Sequence, residues 1–308
     1  MSEREEIMKN KITKVLAYAL AGSIGILGLT ACGSENAQGT VSQDNKVQTE
    51  VSTEESKTEQ KEELKGTITL AGSTSMEKVC EALMEGFMED YPSIVVTTEY
   101  TGSGAGLESL NAGSVDIGNA SRHIKDSEKE AGAVENVVAL DGIAVIVDKD
   151  NTVNDLTSEQ LASIYTGTIT NWSELGGKDE AIVVIGREAG SGTRDAFEEL
   201  NGVKDSCVYA QELDSTGAVL AKVAATPGSI GYVSLDVVND TVAAAKLNGV
   251  DATEANILNG TYALQRPFVM ATKGEVSAQS DLVKTWFDYI KSAEGKEIIQ
   301  SVGLIIPE

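Results

Sequence analysis

Apolar positions change their period repeatedly along this chain. From Gly66 onward, short β-branched runs end in turns of small residues and give way to helical spacing. Thr67-Ile68-Thr69-Leu70 leads into Gly72-Ser73-Thr74-Ser75, after which Met76, Val79, Cys80, Leu83, Phe87 and Met88 recur on one helical face. Thr74 followed by Glu77 predicts a capping box at that helix start. Ile94 to Tyr100 predicts a second strand, closed by Thr101-Gly102-Ser103-Gly104-Ala105-Gly106 before Leu107 and Leu110 resume a helical period. Ile143 to Val147 is continuously apolar, as suits a buried strand. Thr157-Ser158-Glu159-Gln160 predicts a capped helix through Ile164, ended by Gly167. Ile182 to Ile185 predicts another buried strand, which Arg187-Glu188-Ala189-Gly190-Ser191-Gly192-Thr193-Arg194 carries into a helix containing Phe197 and Leu200. Leu282 to Ile290 predicts the last helix, packed through Trp286 and Phe287. Strands alternating with helices predict α/β layers with largely parallel sheets. No long linker interrupts the pattern, so two lobes joined by more than one chain crossing are expected, with a ligand between them at the carboxyl ends of the strands.

The amino-terminal part is patterned differently. Lys9, Lys11 and Lys14 precede an uncharged, mostly apolar stretch from Val15 to Leu29. It is shorter than the roughly 20 apolar residues that a spanning helix needs and fits the apolar region of a secretory signal. Leu29-Thr30-Ala31-Cys32 resembles the bacterial lipobox, in which cleavage falls before a cysteine that then carries lipid. Residues 1–31 are therefore expected to be a lipoprotein signal peptide and Cys32 the lipidated residue. Met8 offers an alternative start, since Met8-Lys9-Asn10-Lys11 gives a basic region free of Glu3, Glu5 and Glu6. Ser34 to Leu64 is dominated by polar residues and buries too little apolar surface to offset its ordering entropy. Residues 32–65 are expected to be the lipidated cysteine and a disordered tether.

Composition narrows the function. The chain of 308 residues is 41% hydrophobic and 23% charged, which suits two ordinary globular lobes. Forty-eight acids against 24 bases give a formal charge of −24, which excludes a nucleic-acid binder relying on a basic surface. One histidine and three cysteines rule out a Cys/His zinc cluster. Cys80 falls on the apolar stripe of its helix, so Cys80 and Cys207 are expected as two separate core cysteines rather than a disulfide.

Three strand-to-helix turns are rich in Gly, Ser and Thr: residues 72–75, 102–106 and 190–193. Each offers free backbone N–H groups and hydroxyls at the positive end of a helix. A single such turn is ordinarily a helix cap. Three together, with Arg187 following a buried strand, point to an anion cage, because a guanidinium presents forked donors to a tetrahedral oxyanion. An enzyme is the competing reading. The nucleophile pattern Gly-x-Ser-x-Gly fails around Ser191, where Ala189 and Thr193 occupy the outer positions. His123, the one imidazole, is expected to be a surface or structural residue, and no Gly-x-x-x-x-Gly-Lys-Ser/Thr run is present.

The runs Ala71-Gly72-Ser73-Thr74-Ser75, Thr101 to Gly106, Val115-Asp116-Ile117-Gly118-Asn119-Ala120-Ser121-Arg122, Ile169-Thr170-Asn171-Trp172-Ser173-Glu174-Leu175-Gly176-Gly177 and Arg187 to Arg194 resemble, in order, the motifs of the phosphate-binding lipoproteins of ABC importers. The resemblance spans most of residues 66–308. It implies an α/β, type II periplasmic-binding-protein fold: two α/β lobes, two crossings, and a dehydrated inorganic phosphate in the cleft. Carried over, Thr74 and Ser75 bind from the first turn and Ser103 from the second, with Arg187, Ser191, Gly192 and Thr193 from the other lobe. Many relatives have an Asp that accepts the proton of hydrogen phosphate where this chain has Ser121, followed by Arg122. Ser121 is expected to touch the ligand and Arg122 to add charge near it, an outward Arg122 paired with a surface acid being the alternative. Asp116 is expected to be structural, and Trp172 to be core or a lobe-surface element. The implied protein is a monomeric phosphate receptor without cofactor or catalysis, lipid-anchored to the outer face of the cell membrane and partnered by ABC permease subunits. A binding protein for sulfate, molybdate or tungstate, a surface lipoprotein without a transport role, or a phosphatase-like enzyme are the alternatives. The lobes are expected at residues 66–142 plus 238–308 and at 143–237.

Overall fold

The computed structural model describes residues 64–307; the expected signal peptide, Cys32 and nearly all of the tether lie outside the described residues. β1 (Gly66–Gly72) leads through a 3-10 turn at Thr74–Met76 into α1 (Glu77–Asp90). β2 (Ile94–Glu99), α2 (Ser103–Asn111) and β3 (Ile117–Ala120) follow, and both strands pair parallel with β1. After α3 (Asp126–Glu130) and β4 (Ala133–Val134) comes the long β5 (Val137–Asp148). Next are β6 (Asp155–Leu156), α4 (Ser158–Tyr165), β7 (Val183–Arg187), α5 (Gly192–Leu200), β8 (Gln211–Leu213), α6 (Thr216–Ala225) and β9 (Ser229–Ser234). β10 (Val242–Ala244), β11 (Lys246–Leu247) and α7 (Glu254–Leu258) precede β12 (Gln265–Lys273), and α8 (Asp281–Lys291) and α9 (Ala293–Ser301) close the chain.

The strands join in the order β2-β1-β3-β12-β5-β9-β7-β8. β5 belongs to both halves of this curled sheet. Its residues 137–142 lie antiparallel to β12, and residues 143–147 lie antiparallel to β9. The chain thus enters the second lobe inside β5 and returns at the start of β12, where the Ile143 N–H donates to the Leu264 carbonyl at 2.7 Å. This is the type II architecture of two α/β lobes with two crossings. Antiparallel β12 and β5 at the centre modify the expected parallel sheets, because the chain leaves the first lobe and re-enters it at the same end of this strand pair.

Each lobe has its own core. Leu107, Leu110, Ala120, Ile124, Val269 and Ala271 fill one, and Val145, Leu161, Tyr165, Trp172, Phe197 and Tyr232 fill the other. Ala245, Leu247, Ile257, Tyr262 and Leu264 belong to the second cluster, and β10 pairs with the end of β5. Residues 242–264, expected in the first lobe, therefore pack on the second. Their apolar side chains find cover against Val145 and Leu156, whereas the small run Ala243-Ala244-Ala245 carries no period that reveals this in the sequence.

Local signals hold in most places. The Thr157 hydroxyl accepts from the Gln160 N–H while the Gln160 side chain accepts from the Thr157 N–H, closing the expected capping box. Thr74 departs from expectation: Ser73 caps the first turn and the Thr74 side chain reaches across to Thr216 instead. Leu282 to Ile290 lies in α8, and α9 follows it, so this is not the last helix. Cys80 is buried, Cys207 is partly buried, and both are free thiols. Asp116 ties β1 to the start of β3 by accepting from the Thr69 N–H and hydroxyl, both at 2.8 Å. Trp172 is core, its indole donating to the Gly228 carbonyl. Among the described residues, no helix is long and apolar enough to cross a membrane.

Candidate anion-binding site

Three of the turns that face the cleft come from the first lobe. Thr74 and Ser75 lie in the turn after β1, Ser103 opens α2, and Ser121 follows β3. The second lobe supplies Arg187 at the end of β7, Ser191 to Thr193 at the start of α5, and Thr216 at the start of α6. All of these side chains are buried. They meet across the cleft: Ser75 Oγ lies 2.8 Å from both Thr193 Oγ1 and Thr216 Oγ1, and Thr74 Oγ1 lies 3.1 Å from Thr216 Oγ1. The Gly104 N–H donates to the Gly190 carbonyl at 2.9 Å, closing the two glycine turns on one another. Gly192 sits so close that a Cβ there would lie 2.3 Å from Ser103 Oγ and 2.8 Å from Ser121 Oγ. Only a residue without a side chain lets the start of α5 reach the opposite lobe in this arrangement.

Arg187 is aimed by its surroundings. Its Nη2 donates to Glu188 Oε1 at 2.9 Å and to the Asp214 carbonyl at 3.0 Å, and its Nε donates to the Leu213 carbonyl at 3.1 Å. That leaves Nη1, which donates to Thr216 Oγ1 at 3.2 Å, facing the hydroxyl cluster. A second guanidinium stands behind the cluster. Arg266 donates from Nε and Nη2 to Asp141 Oδ2 at 3.0 and 2.9 Å, and from Nη1 to the Ser121 carbonyl at 3.0 Å and to Thr193 Oγ1 at 2.7 Å. Asp141 and Arg266 are register partners on β5 and β12, at the two chain crossings. Burial raises the Asp141 pKa and lowers that of Arg266, and each group's charge opposes the shift of the other.

Arg122 is placed elsewhere. Its Nη1 and Nη2 donate to Glu128 at 2.9 and 2.8 Å, and its Nε lies 2.9 Å from Asp195 Oδ2, which Lys125 Nζ also approaches at 2.8 Å. The guanidinium expected to bring charge to the ligand is therefore committed to carboxylates, one from each lobe. It is buried, not outward, so the alternative expectation is met only in its pairing. Burial raises the Glu128 pKa, but hydrogen bonds from Arg122 and Lys125 and the Arg122 charge outweigh it, so the net shift is downward. His123 is largely exposed and pairs with Glu135. Ser191 caps α5 by accepting from the Arg194 N–H at 3.3 Å.

Sequence reasoning missed Thr216, Arg266 and Asp141. Asp214-Ser215-Thr216-Gly217 is a fourth small-residue turn before a helix, and it was legible by the same rule as the other three. Asp141 interrupts an otherwise apolar run and Arg266 stands before one, and a lone charge in a buried strand needs a partner. Their pairing depends on strand register, which no local pattern supplies.

Asp236, near Asp141, Ser234, Arg266 and Lys78, has its carboxyl pushed up to about 7, first by burial and then by the charge of Asp141. A raised folded-state pKa contributes stability that is whole below the ordinary value of 3.8 and is lost progressively as pH rises from there through about 7. Asp236→Asn keeps a neutral group there at every pH. The variant is expected to gain in melting temperature relative to wild type between about pH 5 and about pH 8. A constant difference across that range would show that Asp236 does not titrate there.

Two α/β lobes closing on converging hydroxyls and a buried guanidinium define a solute-binding protein for a small anion. Residues 52–294 match the PBP superfamily domain. The phosphate-binding protein PstS of Bacillus subtilis is 32% identical over 303 residues, covering 96% of this chain and 94% of that protein. A Clostridium perfringens crystal structure with bound phosphate, assigned as a phosphate ABC transporter substrate-binding protein, is 42% identical with a TM-score of 0.76. It covers 79% of this chain and 100% of the other. An ABC-type phosphate transport receptor from Vibrio cholerae is 35% identical with a TM-score of 0.66, covering 78% and 100%. The chain belongs to the PBP superfamily and, within it, to the PstS phosphate-binding proteins.

Proposed function

We propose that the protein is an extracytoplasmic substrate-binding protein that captures inorganic phosphate between its lobes and delivers it to an ABC permease, performing no chemistry itself. The observation that carries this reading is the meeting of Thr74, Ser75, Ser103 and Ser121 with Arg187, Thr193 and Thr216 in one buried cluster drawn from both lobes. The relatives named for phosphate binding and phosphate transport support the choice of anion and of partner. Thr74, Ser75, Ser103, Ser121, Arg187 and Thr193 act as ligands, joined by Thr216. Gly192 contributes its backbone, and Ser191 holds the start of α5. Arg122 serves the contact between lobes. Cys32 anchors a monomer to the membrane through lipid, after removal of residues 1–31. We divide the lobes at residues 66–142 plus 265–308 and at 143–264.

An acidic protein binds an anion here because contact geometry outweighs net charge. At physiological ionic strength the screening length is about 8 Å, so distant surface acids act weakly, whereas donors in a dry cleft act unscreened. Each hydrogen bond to a charged acceptor contributes about 1.5 to 3 kcal/mol, and several of them offset ligand desolvation and lobe closure. Binding near −8 kcal/mol, or about micromolar, follows. Calorimetric titration of the mature chain is expected to give that affinity for phosphate and at least about tenfold weaker binding of sulfate. Equal affinities would overturn the phosphate assignment.

A further inference from the structure

Arg187 stands beyond the ladder that joins β7 to β9, which pairs Val183 with Ser229 and Val184 with Ile230. Its peptide groups take side chains as partners instead. The Arg187 N–H donates to the Tyr232 hydroxyl at 3.2 Å, and the Arg187 carbonyl accepts from Arg194 Nη1 at 2.9 Å. Either bond alone would simply satisfy a buried backbone group. Here the two partners are tied to each other. Arg194 Nε donates to Glu198 Oε1 at 2.8 Å, the same oxygen accepts from the Tyr209 hydroxyl at 2.9 Å, and the Tyr209 and Tyr232 oxygens lie 3.2 Å apart. A ring of four side chains thus runs from the N–H of Arg187 round to its carbonyl.

The ring is firmly built. Glu198 is buried, and its second oxygen accepts from the Asp205 N–H at 3.3 Å, so both of its oxygens have donors. The Arg194 guanidinium lies 4.7 Å from the centre of the Tyr209 ring and also pairs with Glu212 at 3.0 Å. Tyr209 lies so close to the residue before Arg187 that a Cβ on Gly186 would meet its Cε1 at 2.2 Å. Among the described residues, none of the four side chains is hydrogen-bonded to the hydroxyls of the anion cluster. The Leu213 and Asp214 carbonyls hold the Arg187 guanidinium from the β8 side, while the ring holds its backbone from the β9 side. A binding group performs only while its supports keep it within a fraction of an ångström of the productive place.

Resting on the phosphate reading above, we propose that Arg194, Glu198, Tyr209 and Tyr232 are positioning residues for phosphate binding: they fix the backbone of Arg187, and through it the guanidinium, without touching the anion. Their contribution to affinity therefore passes through Arg187 and disappears when that side chain is removed.

The test measures phosphate affinity by calorimetry, and melting temperature, for the protein and its Tyr232→Phe, Tyr209→Phe and Arg194→Lys variants, each made also with Arg187→Ala. Tyr232→Phe keeps the aromatic ring stacked on Phe197, with 4.1 Å between centres, and Arg194→Lys keeps the charge beside Glu198 but loses the planar fork. Each variant is expected to weaken phosphate about fivefold or more, within the range by which members of one hydrogen-bond network couple. With Arg187→Ala in place, the same changes are expected to alter affinity less than about twofold, because no guanidinium is left to position. A ring that only supports the fold would lower the melting temperature in both backgrounds and would change affinity equally in both. Three variants keep the comparison readable if one of them fails to fold. Affinities within about twofold of wild type, or losses of the same size in both backgrounds, overturn the proposal and leave the phosphate reading intact. A wild-type protein that binds no phosphate overturns that reading and this one together.

Discussion

Arg187→Ala is expected to weaken phosphate binding by about thirtyfold or more, so that concentrations saturating the wild-type protein leave the variant largely empty. Removing one partner of a buried, hydrogen-bonded charge pair costs about 2 to 5 kcal/mol, and about 1.4 kcal/mol is tenfold in affinity. Nothing else in the cluster replaces this charge. Arg266 is neutralised by Asp141, and Arg122 by Glu128 and Asp195. Arg187 instead pairs with Glu188, whose side chain is 34% exposed and so keeps part of its hydration. That exposure also protects the fold in the variant, because Glu188 can turn to water when its partner is removed. Affinity should therefore fall far more than melting temperature. Arg187→Lys keeps a positive charge but loses the fork that engages Leu213, Asp214 and Thr216 together, so it should bind more weakly than wild type and better than Arg187→Ala. Calorimetry of both variants checks this order, and wild-type affinity in Arg187→Ala would place the anion elsewhere.

The sequence revealed these small-residue turns because they are local. Gly, Ser and Thr between a β-branched run and a helical period leave few conformations, and those conformations put N–H groups and hydroxyls at a helix start. Thr74, Ser103, Ser191 and Thr193 were legible in that way, and Thr216 obeys the same rule. The direction of a side chain is less local. Thr74 lies where a capping residue is expected, yet tertiary contact with Thr216 sets its rotamer, and Ser73 takes over the cap. Arg122 beside Ser121 suggested charge at the ligand. The deciding fact, that Glu128 and Asp195 converge on it, involves a helix of its own lobe and another from the opposite lobe. The packing of residues 242–264 is hidden from the sequence for a similar reason. Ala243 to Ala245 and Leu247 have no strong period, and their place is fixed by β5 and β6.

The two crossings meet the hydroxyl cluster at one ion pair. Arg266 projects from the return strand, is paired to the outgoing strand through Asp141, and touches Ser121 of one lobe and Thr193 of the other. With the lobes as they lie here, Thr193 Oγ1 accepts from Nη1 and so keeps its own proton for another partner. The crossings thus reach the cluster through the Arg266 side chain.

Stability and affinity should separate when that link is cut. Arg266→Met alone leaves Asp141 buried without its cation and is expected to cost the fold about 3 to 5 kcal/mol. Adding Asp141→Leu removes the stranded charge and should recover most of that loss, because a buried ion pair replaced by apolar groups of similar volume is often neutral or better. Phosphate affinity should not recover with it. Ser121 has still lost the donor to its carbonyl and Thr193 the donor to its hydroxyl, so the double variant is expected to bind about tenfold or more weakly than wild type. Urea denaturation of the three proteins, with calorimetry on the wild type and the double variant, gives both quantities. If the double variant is as unstable as the single one, Arg266 supports the fold through packing against Phe268 and its neighbours rather than through charge. If instead the double variant is stable and binds phosphate as wild type does, then the guanidinium behind the cluster holds the crossings together and takes no part in recognition.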